Sequence, residues 1–224
     1  MMATGQIAAT GAPRSAPQGI DWKNAAVETV LNRTCALALL IVLAPLMLFI
    51  ALRILREDGG PVLFGHLRVG KDGRLFECLK FRTMARDAEQ RLQRLLSEDP
   101  VARSEWERNF KLRDDPRITT FGRFLRRTSL DELPQLINVL RGEMNLVGPR
   151  PVVVPELRKY GYAKFHYLSV KPGMTGLWQV CGRHETTYPQ RVRLDRTYVE
   201  RRSLTLDFAI LLRTVRVVLR QPGV

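Results

Sequence analysis

Residues 35–52 read Cys-Ala-Leu-Ala-Leu-Leu-Ile-Val-Leu-Ala-Pro-Leu-Met-Leu-Phe-Ile-Ala-Leu, 18 apolar positions in a row without a charge. As a straight helix the run reaches about 27 Å, just short of a hydrocarbon core of about 30 Å. Pro45 sits inside it, and its missing N–H and ring disturb the bond to residue 41, which predicts a kink. Arg33 precedes the run, and Arg53 and Arg56 follow it with the basic remainder of the chain behind them. The positive-inside tendency therefore holds both ends on the cytoplasmic side. Together these signals predict a re-entrant membrane helix over 21–57 rather than a span. A core helix that is apolar all round needs a larger protein to hide it. A cleaved signal peptide is a poor match, since the run starts late and lacks a small-x-small site.

Outward from this segment, residues 1–20 are rich in Ala, Gly, Pro, Thr and Ser and predict a disordered lead-in. Residues 58–224 are left as one domain on the cytoplasmic face. The chain of 224 residues carries a formal charge of +14 with 45% hydrophobic residues, which calls for an anionic partner: nucleic acid, an anionic lipid surface or a phosphorylated substrate. No helix-turn-helix, zinc finger or aromatic RNA-binding motif is present, so nucleic acid is not expected. Cys35, Cys78 and Cys181 are odd in number and far apart, which argues against a disulfide framework or structural zinc. His66, His166 and His184 are equally scattered and form no ligand pattern.

The periodicities predict an α+β domain, small and mostly helical. Val62–Gly65 reads as a strand, and Lys71-Asp72-Gly73-Arg74 turns the chain into a second strand over 75–81, giving a short β-hairpin. The segment Gly65–Lys71 imitates a phosphate-binding loop, but Asp72 stands where Ser or Thr must ligate magnesium and no helix follows. Helices are expected over 85–98 and 101–112, with solvated charges. Asp114-Asp115-Pro116-Arg117 reads as a break with a turn. A helix start at Pro155, a turn entering a strand over 172–180, and helices over 189–200 and 203–220 complete the chain. The last helix combines apolar bulk with late arginines, as membrane-surface helices do, and packing on the core explains it equally.

Residues 128–151, Thr-Ser-Leu-Asp-Glu-Leu-Pro-Gln-Leu-Ile-Asn-Val-Leu-Arg-Gly-Glu-Met-Asn-Leu-Val-Gly-Pro-Arg-Pro, place the carboxylates Asp131 and Glu132 among Arg126, Arg127, Arg141 and Arg150. Ser129-Leu-Asp-Glu132 matches a capping box. Pro134 favours the register in which Asp131 caps, because Pro then falls where the backbone donor is orphaned anyway. In that register both carboxylates sit at a helix opening, where phosphate is also attracted. An ionised carboxylate there can serve as a nucleophile or merely as a cap.

From about residue 30 to 220 the chain closely resembles the bacterial sugar transferases, monotopic polyprenyl-phosphate phosphoglycosyl transferases. The resemblance is carried by the proline-broken apolar run, Gly60-Pro-Val-Leu-Phe64, Arg68-Val-Gly70, Lys80-Phe-Arg-Thr-Met84, Asp114-Asp-Pro-Arg117, the block 128–151, Pro172-Gly-Met-Thr-Gly-Leu-Trp-Gln-Val180 and Asp195-Arg-Thr-Tyr-Val199. Gly65-His66 and the short format look most like the branch that primes exopolysaccharide repeats with galactose or glucose phosphate. Asn32-Arg-Thr-Cys-Ala36 departs from many relatives, which carry an acidic residue in this entry to the membrane helix.

The resemblance implies that Asp131 attacks the sugar-bearing phosphate of a UDP-sugar, expels UMP and forms a phosphosugar ester, which polyprenyl phosphate then attacks. It implies a role for Glu132 in holding Mg2+ and in positioning. Lys80, Arg82, Arg126, Arg150 and Asp195 are implied to bind substrate. The partners implied are a UDP-sugar, polyprenyl phosphate and the lipids of the bacterial inner membrane; a homodimer stays open. The rival reading is a membrane-tethered polyanion-binding module, indifferent to Asp131 and strongly sensitive to salt.

Overall fold

The computed structural model describes residues 22–110, 112–181 and 186–220, and the lead-in expected over 1–20 lies outside them. Helix α1 (Trp22–Asp58) is followed by β1 (Leu63–Val69), β2 (Leu75–Phe81), α2 (Ala88–Glu98), α3 (Pro100–Asn109), α4 (Thr120–Thr128), a 3-10 turn (Leu130–Glu132), α5 (Gln135–Arg141) and β3 (Asn145–Val147). Then come α6 (Val154–Arg158), a 3-10 turn (Gly161–Ala163), α7 (Lys164–Leu168), β4 (Gly173–Thr175), α8 (Leu177–Cys181), α9 (Tyr188–Arg201) and α10 (Leu204–Arg220). The domain is α+β and mostly helical, with a hairpin where the sequence places one.

Helix α1 contains the apolar run and continues as helix through Pro45. Only 11% of its most apolar window is buried, so it is not the core helix of a soluble protein. Its inner stripe is spaced alternately four and three residues apart, which keeps one helix face turned to the domain. Ahead of Pro45, Ala36, Leu40 and Leu43 pack on Phe76, Cys78, Leu136, Val139 and Met144. Beyond it, Met47, Ile50 and Ile54 pack on Phe81 and Leu125. The packing partner thus changes at the proline. The opposite face is bare, with Ile41 67%, Val42 73%, Leu48 60% and Phe49 60% exposed.

Polar contacts fasten both ends of α1 to the domain. Asn32 accepts from Leu146 N at 2.7 Å, and Glu28 accepts from the Asn145 side chain at 2.6 Å. At the far end Asp58 takes an ion pair from Arg82 at 3.2 Å. Within the segment that departs from many relatives, Asn32 is therefore an anchor, while Ala36, at the position of their acidic residue, is fully buried.

Strands β1 and β2 pair antiparallel, Leu63 opposite Phe81 and Val69 opposite Leu75. Asn138, fully buried on α5, serves β2 from the side: its amide oxygen accepts from Leu79 N at 2.9 Å and its nitrogen donates to Glu77 O at 2.7 Å. One side chain satisfies strand groups that would otherwise be orphaned. Strands β3 and β4 form a second, parallel pair that the sequence did not announce. At this crossing a Cβ on Gly173 would lie 2.0 Å from Gly148 N, so only glycine fits.

The structure corrects several local expectations. Residues 177–181 are helix rather than strand; the helix start expected at Pro155 is present, in α6, and a 3-10 turn separates that helix from α7. Neither capping register in the central block holds. Ser129 adopts φ 58° to end α4, and α5 begins after Pro134 without a side-chain cap. A residue in the left-handed region cannot also supply the extended backbone that an N-cap needs. Asp115 makes the expected turn, accepting from Arg117 N at 3.0 Å and from its guanidinium at 2.7 Å.

Candidate active site

Asp131 owes its placement to the abrupt end of α4. Ser129 turns the backbone through the left-handed region, which non-glycine residues seldom occupy, and the 3-10 turn Leu130–Glu132 then projects both carboxylates toward the end of β2. Phe76, Cys78 and Lys80 share one face of that strand by its period of two. The first two enter the core under α1. Lys80, next along, reaches the carboxylates.

Its ammonium lies 2.7 Å from Glu132 Oε1 and 3.6 Å from Asp131 Oδ2. Arg150, on the segment after β3, places Nη2 3.2 Å from the same Glu132 oxygen. Burial by itself would raise the Glu132 carboxyl, but Arg150 and Lys80 override it and hold the group at about 2. Asp131 behaves differently. Its carboxyl is raised by burial and by the Glu132 charge, against the pull of Lys80, Arg126 and Arg150. Adjacent acids are thus driven apart: Glu132 is held as an anion within an ion-pair cluster, while the charge on Asp131 is less stabilised.

The group opens on a cavity of about 1160 Å³. Lys80, Asp131, Glu132, Arg126 and Arg150 line it together, as the sequence expects. Arg126 is fixed through its Nε, which donates to Thr83 Oγ1 at 2.9 Å. Arg82 also lines the cavity, but its guanidinium is held by Asp58 and Gly59 O, so it ties the end of α1 to the site. Asp195 is not brought to the cavity. It is 1% exposed, accepts from the Tyr160 hydroxyl at 2.8 Å, and burial pushes its carboxyl up to about 7.

Some cavity residues were not singled out in the sequence. Thr83 and Trp178 were legible only as parts of motifs, and Arg191 not at all. The Arg191 guanidinium lies 4.5 Å from the Trp178 ring centroid and pairs with Glu156 at 3.0 Å.

No cluster of three or more metal-ligating side chains occurs among the described residues. The donor set is two carboxylates beside the cations Lys80, Arg126 and Arg150. That suits Mg2+, which is commonly held by one or two carboxylates plus substrate phosphates rather than by a protein cage. All three cysteines are free.

The family model for "Bacterial sugar transferase" matches residues 23–221. The chain belongs to the bacterial sugar transferase family. This sugar transferase is 53% identical over 189 residues to the undecaprenyl-phosphate galactose phosphotransferase of Salmonella typhimurium, covering 84% of the chain and 40% of that relative. It is 46% identical over 188 residues to the exopolysaccharide production protein ExoY of Sinorhizobium fredii, covering 84% and 83%. With the undecaprenyl-phosphate glucose phosphotransferase of Komagataeibacter xylinus it shares 40% over 195 residues, 82% of the chain and 34% of that protein. The chain spans about two fifths of the length of the Salmonella relative and most of the length of the Sinorhizobium one.

Proposed function

We propose that this chain transfers a sugar-1-phosphate, galactose or glucose phosphate, from a UDP-sugar to undecaprenyl phosphate with release of UMP, the first membrane step of exopolysaccharide synthesis. The single observation that carries this reading is Asp131, a buried carboxylate set among Lys80, Arg126 and Arg150 in a cavity walled on one side by the apolar run of α1. The names of the Salmonella and Komagataeibacter relatives support the acceptor and the two sugars.

The chemistry proceeds in two displacements. Asp131 Oδ attacks the sugar-bearing phosphorus, the P–O bond to UMP breaks, and UMP leaves with the bonding pair. A terminal oxygen of undecaprenyl phosphate then attacks the same phosphorus, the bond to Asp131 breaks and the carboxylate is restored. Lys80, Arg126 and Arg150 offset phosphate charge throughout. Glu132 keeps Lys80 and Arg150 in place and would hold Mg2+, which supplies Lewis-acid charge neutralisation at the diphosphate.

The seating of the protein follows from α1. Its bare apolar face and its fastening to the domain on both sides of Pro45 support a helix that dips into the cytoplasmic face of the inner membrane and returns. An acceptor that cannot leave the bilayer is then met at the headgroup plane. Purified protein in membranes, given Mg2+, undecaprenyl phosphate and a panel of UDP-sugars, should release UMP with one or two donors and carry a phosphosugar adduct on the Asp131 peptide. Absence of UMP release with every donor, or full activity of Asp131→Asn, would overturn the reading.

A further inference from the structure

We propose that Trp178, Gln179 and Arg191 hold the uracil ring of the nucleotide donor, while the cations around Asp131 take its phosphates. The proposal rests on the UDP-sugar named above and adds which residues read its base.

Six buried polar side-chain atoms lack a hydrogen-bond partner among the described residues, and three of them are Trp178 Nε1, Gln179 Oε1 and Arg191 Nε. All three residues line the Asp131 cavity. Buried polar atoms are rarely left unmatched, so three in one cavity wall call for an explanation, and a ligand that supplies the partners is one. The rest of each polar side chain is already held. Gln179 Nε2 donates to Met174 O at 3.2 Å, which leaves Oε1 as an open acceptor. Arg191 gives Nη1 to Glu156 at 3.0 Å, and its guanidinium lies against the Trp178 ring. Glu156 also faces Arg68 at 4.0 Å, so it is a fixed post for Arg191.

The open set is two N–H donors and one carbonyl acceptor. Uracil presents the complement, an imide N–H flanked by two carbonyl oxygens. Cytosine, adenine and guanine lack that arrangement. A hexose hydroxyl also satisfies such atoms, but an indole backed by a guanidinium is a flat surface of the kind on which bases stack.

The backbone keeps this group within reach of the phosphate cations. Val147 lies opposite Thr175 in the β3–β4 pair, and Gly148 N donates to Thr175 O at 2.9 Å. A Cβ on Gly176 would lie 2.2 Å from Gly148 O, so the segments cross without room for a side chain. Two residues past Gly148 comes Arg150, and two past Gly176 comes Trp178. Both line the cavity from adjoining segments. One nucleotide can span them, its phosphates at Arg150 and its ring at Trp178.

The direct test irradiates the wild-type protein in nanodiscs with 4-thio-UMP, whose base cross-links without a linker arm. Adducts should map to the peptides containing Trp178 or Arg191 and be competed by UMP. Adducts confined to other cavity peptides would overturn the seat. In parallel, Trp178→Phe keeps a ring and removes Nε1–H, and Arg191→Lys keeps a charge facing Glu156 and removes the guanidinium plane. Each should raise Kd for UMP by about fivefold or more and narrow its preference over AMP, while Kd for pyrophosphate, which has no base, stays within about twofold. Unchanged UMP binding in both variants would overturn the seat and leave these side chains to the hexose, which UMP lacks. If a variant loses pyrophosphate as well, the cross-link map decides. A wild type that neither binds UMP nor releases it from any UDP-sugar overturns the parent reading and the seat together, whereas UMP release with adducts elsewhere overturns the seat alone.

Discussion

The Lys80 ammonium lies 3.6 Å from the Asp131 carboxylate, reaching it from the neighbouring strand while a shorter contact holds it to Glu132. Lysine is a compact charge on a flexible stem, so tethering by Glu132 fixes the distance at which it acts on Asp131. The charge on Asp131 is thus coupled to Lys80 and Glu132 across two elements, β2 and the turn after α4.

Lys80→Met removes the strongest of the cationic pulls that oppose the burial of Asp131. Its carboxyl, already raised, rises further. The acid limb of acceptor-free UMP release should move to higher pH, with a loss of about tenfold or more at neutral pH. A pH profile of the burst in wild type and variant checks this, and an unmoved limb refutes it.

Asp131→Asn should abolish the covalent adduct and lower turnover by roughly 10⁴-fold or more, yet raise the melting temperature at neutral pH. The sign follows from linkage. A carboxyl raised on folding stabilises below its unfolded value, and that benefit is lost as pH rises through the folded value. At neutral pH the native charge therefore opposes folding, and Asn relieves it. Melting curves of both proteins in one detergent would show the crossover, and a variant that melts lower at pH 7 would contradict the assignment.

Glu132→Gln has the opposite stability sign. A carboxyl held at about 2 against an ordinary 4.5 contributes stability above pH 4.5 that is lost as pH falls toward 2. Its removal leaves Lys80 and Arg150 with only the more distant Asp131 carboxylate between them, at a cost of about 1.5–3 kcal/mol. Denaturant titration at pH 7 and pH 3 should give a large difference from wild type at the first and a much smaller one at the second.

The apolar helix and the hairpin were legible because each leaves a periodic or compositional mark: an uncharged stretch in one case, two strands around Gly73 in the other. The pair β3 and β4 leaves none, since three-residue strands joined over a long connection have no periodicity to detect. Leu177–Cys181 reads as strand by residue type, and tertiary packing makes it helix. In the site, Lys80, Asp131, Glu132 and Arg150 were legible as polar residues inside ordered motifs. The placements of Arg82 and Asp195 were not, because their partners Asp58 and Tyr160 lie far along the chain. Asn138 was invisible for the same reason.

Gly122 tests how tightly α4 is seated. A Cβ there would meet Thr83 O at 2.1 Å, while Thr119 N donates to that oxygen at 3.1 Å. Gly122→Ala gains up to about 1 kcal/mol of helix propensity but must push α4 away, at about 1–3 kcal/mol or more. The net effect should be destabilising. Thr83 also holds Arg126, so UMP release should fall severalfold even in the fraction that remains folded. Equal stability and activity of the variant in urea titration and burst assays would show that this contact is softer than the geometry indicates.

Pro45 marks where α1 exchanges one packing surface for another. Restoring the backbone donor with Pro45→Leu supplies the bond to residue 41 and removes the ring clash, so α1 should straighten. Its two halves can then no longer both follow the domain, and the stiffened run favours crossing the bilayer. In a cysteine-free background, a cysteine placed at Val27 should be labelled by an impermeant thiol reagent only from the cytoplasmic side in the parent protein, and from the opposite side in a measurable fraction of Pro45→Leu molecules. Activity should fall with that fraction, since an inverted N-terminal half withdraws Leu39 and Leu43 from the cavity. Labelling from the cytoplasmic side alone in both proteins would mean that the anchors Glu28, Asn32 and Asp58, rather than the proline, set the course of the helix.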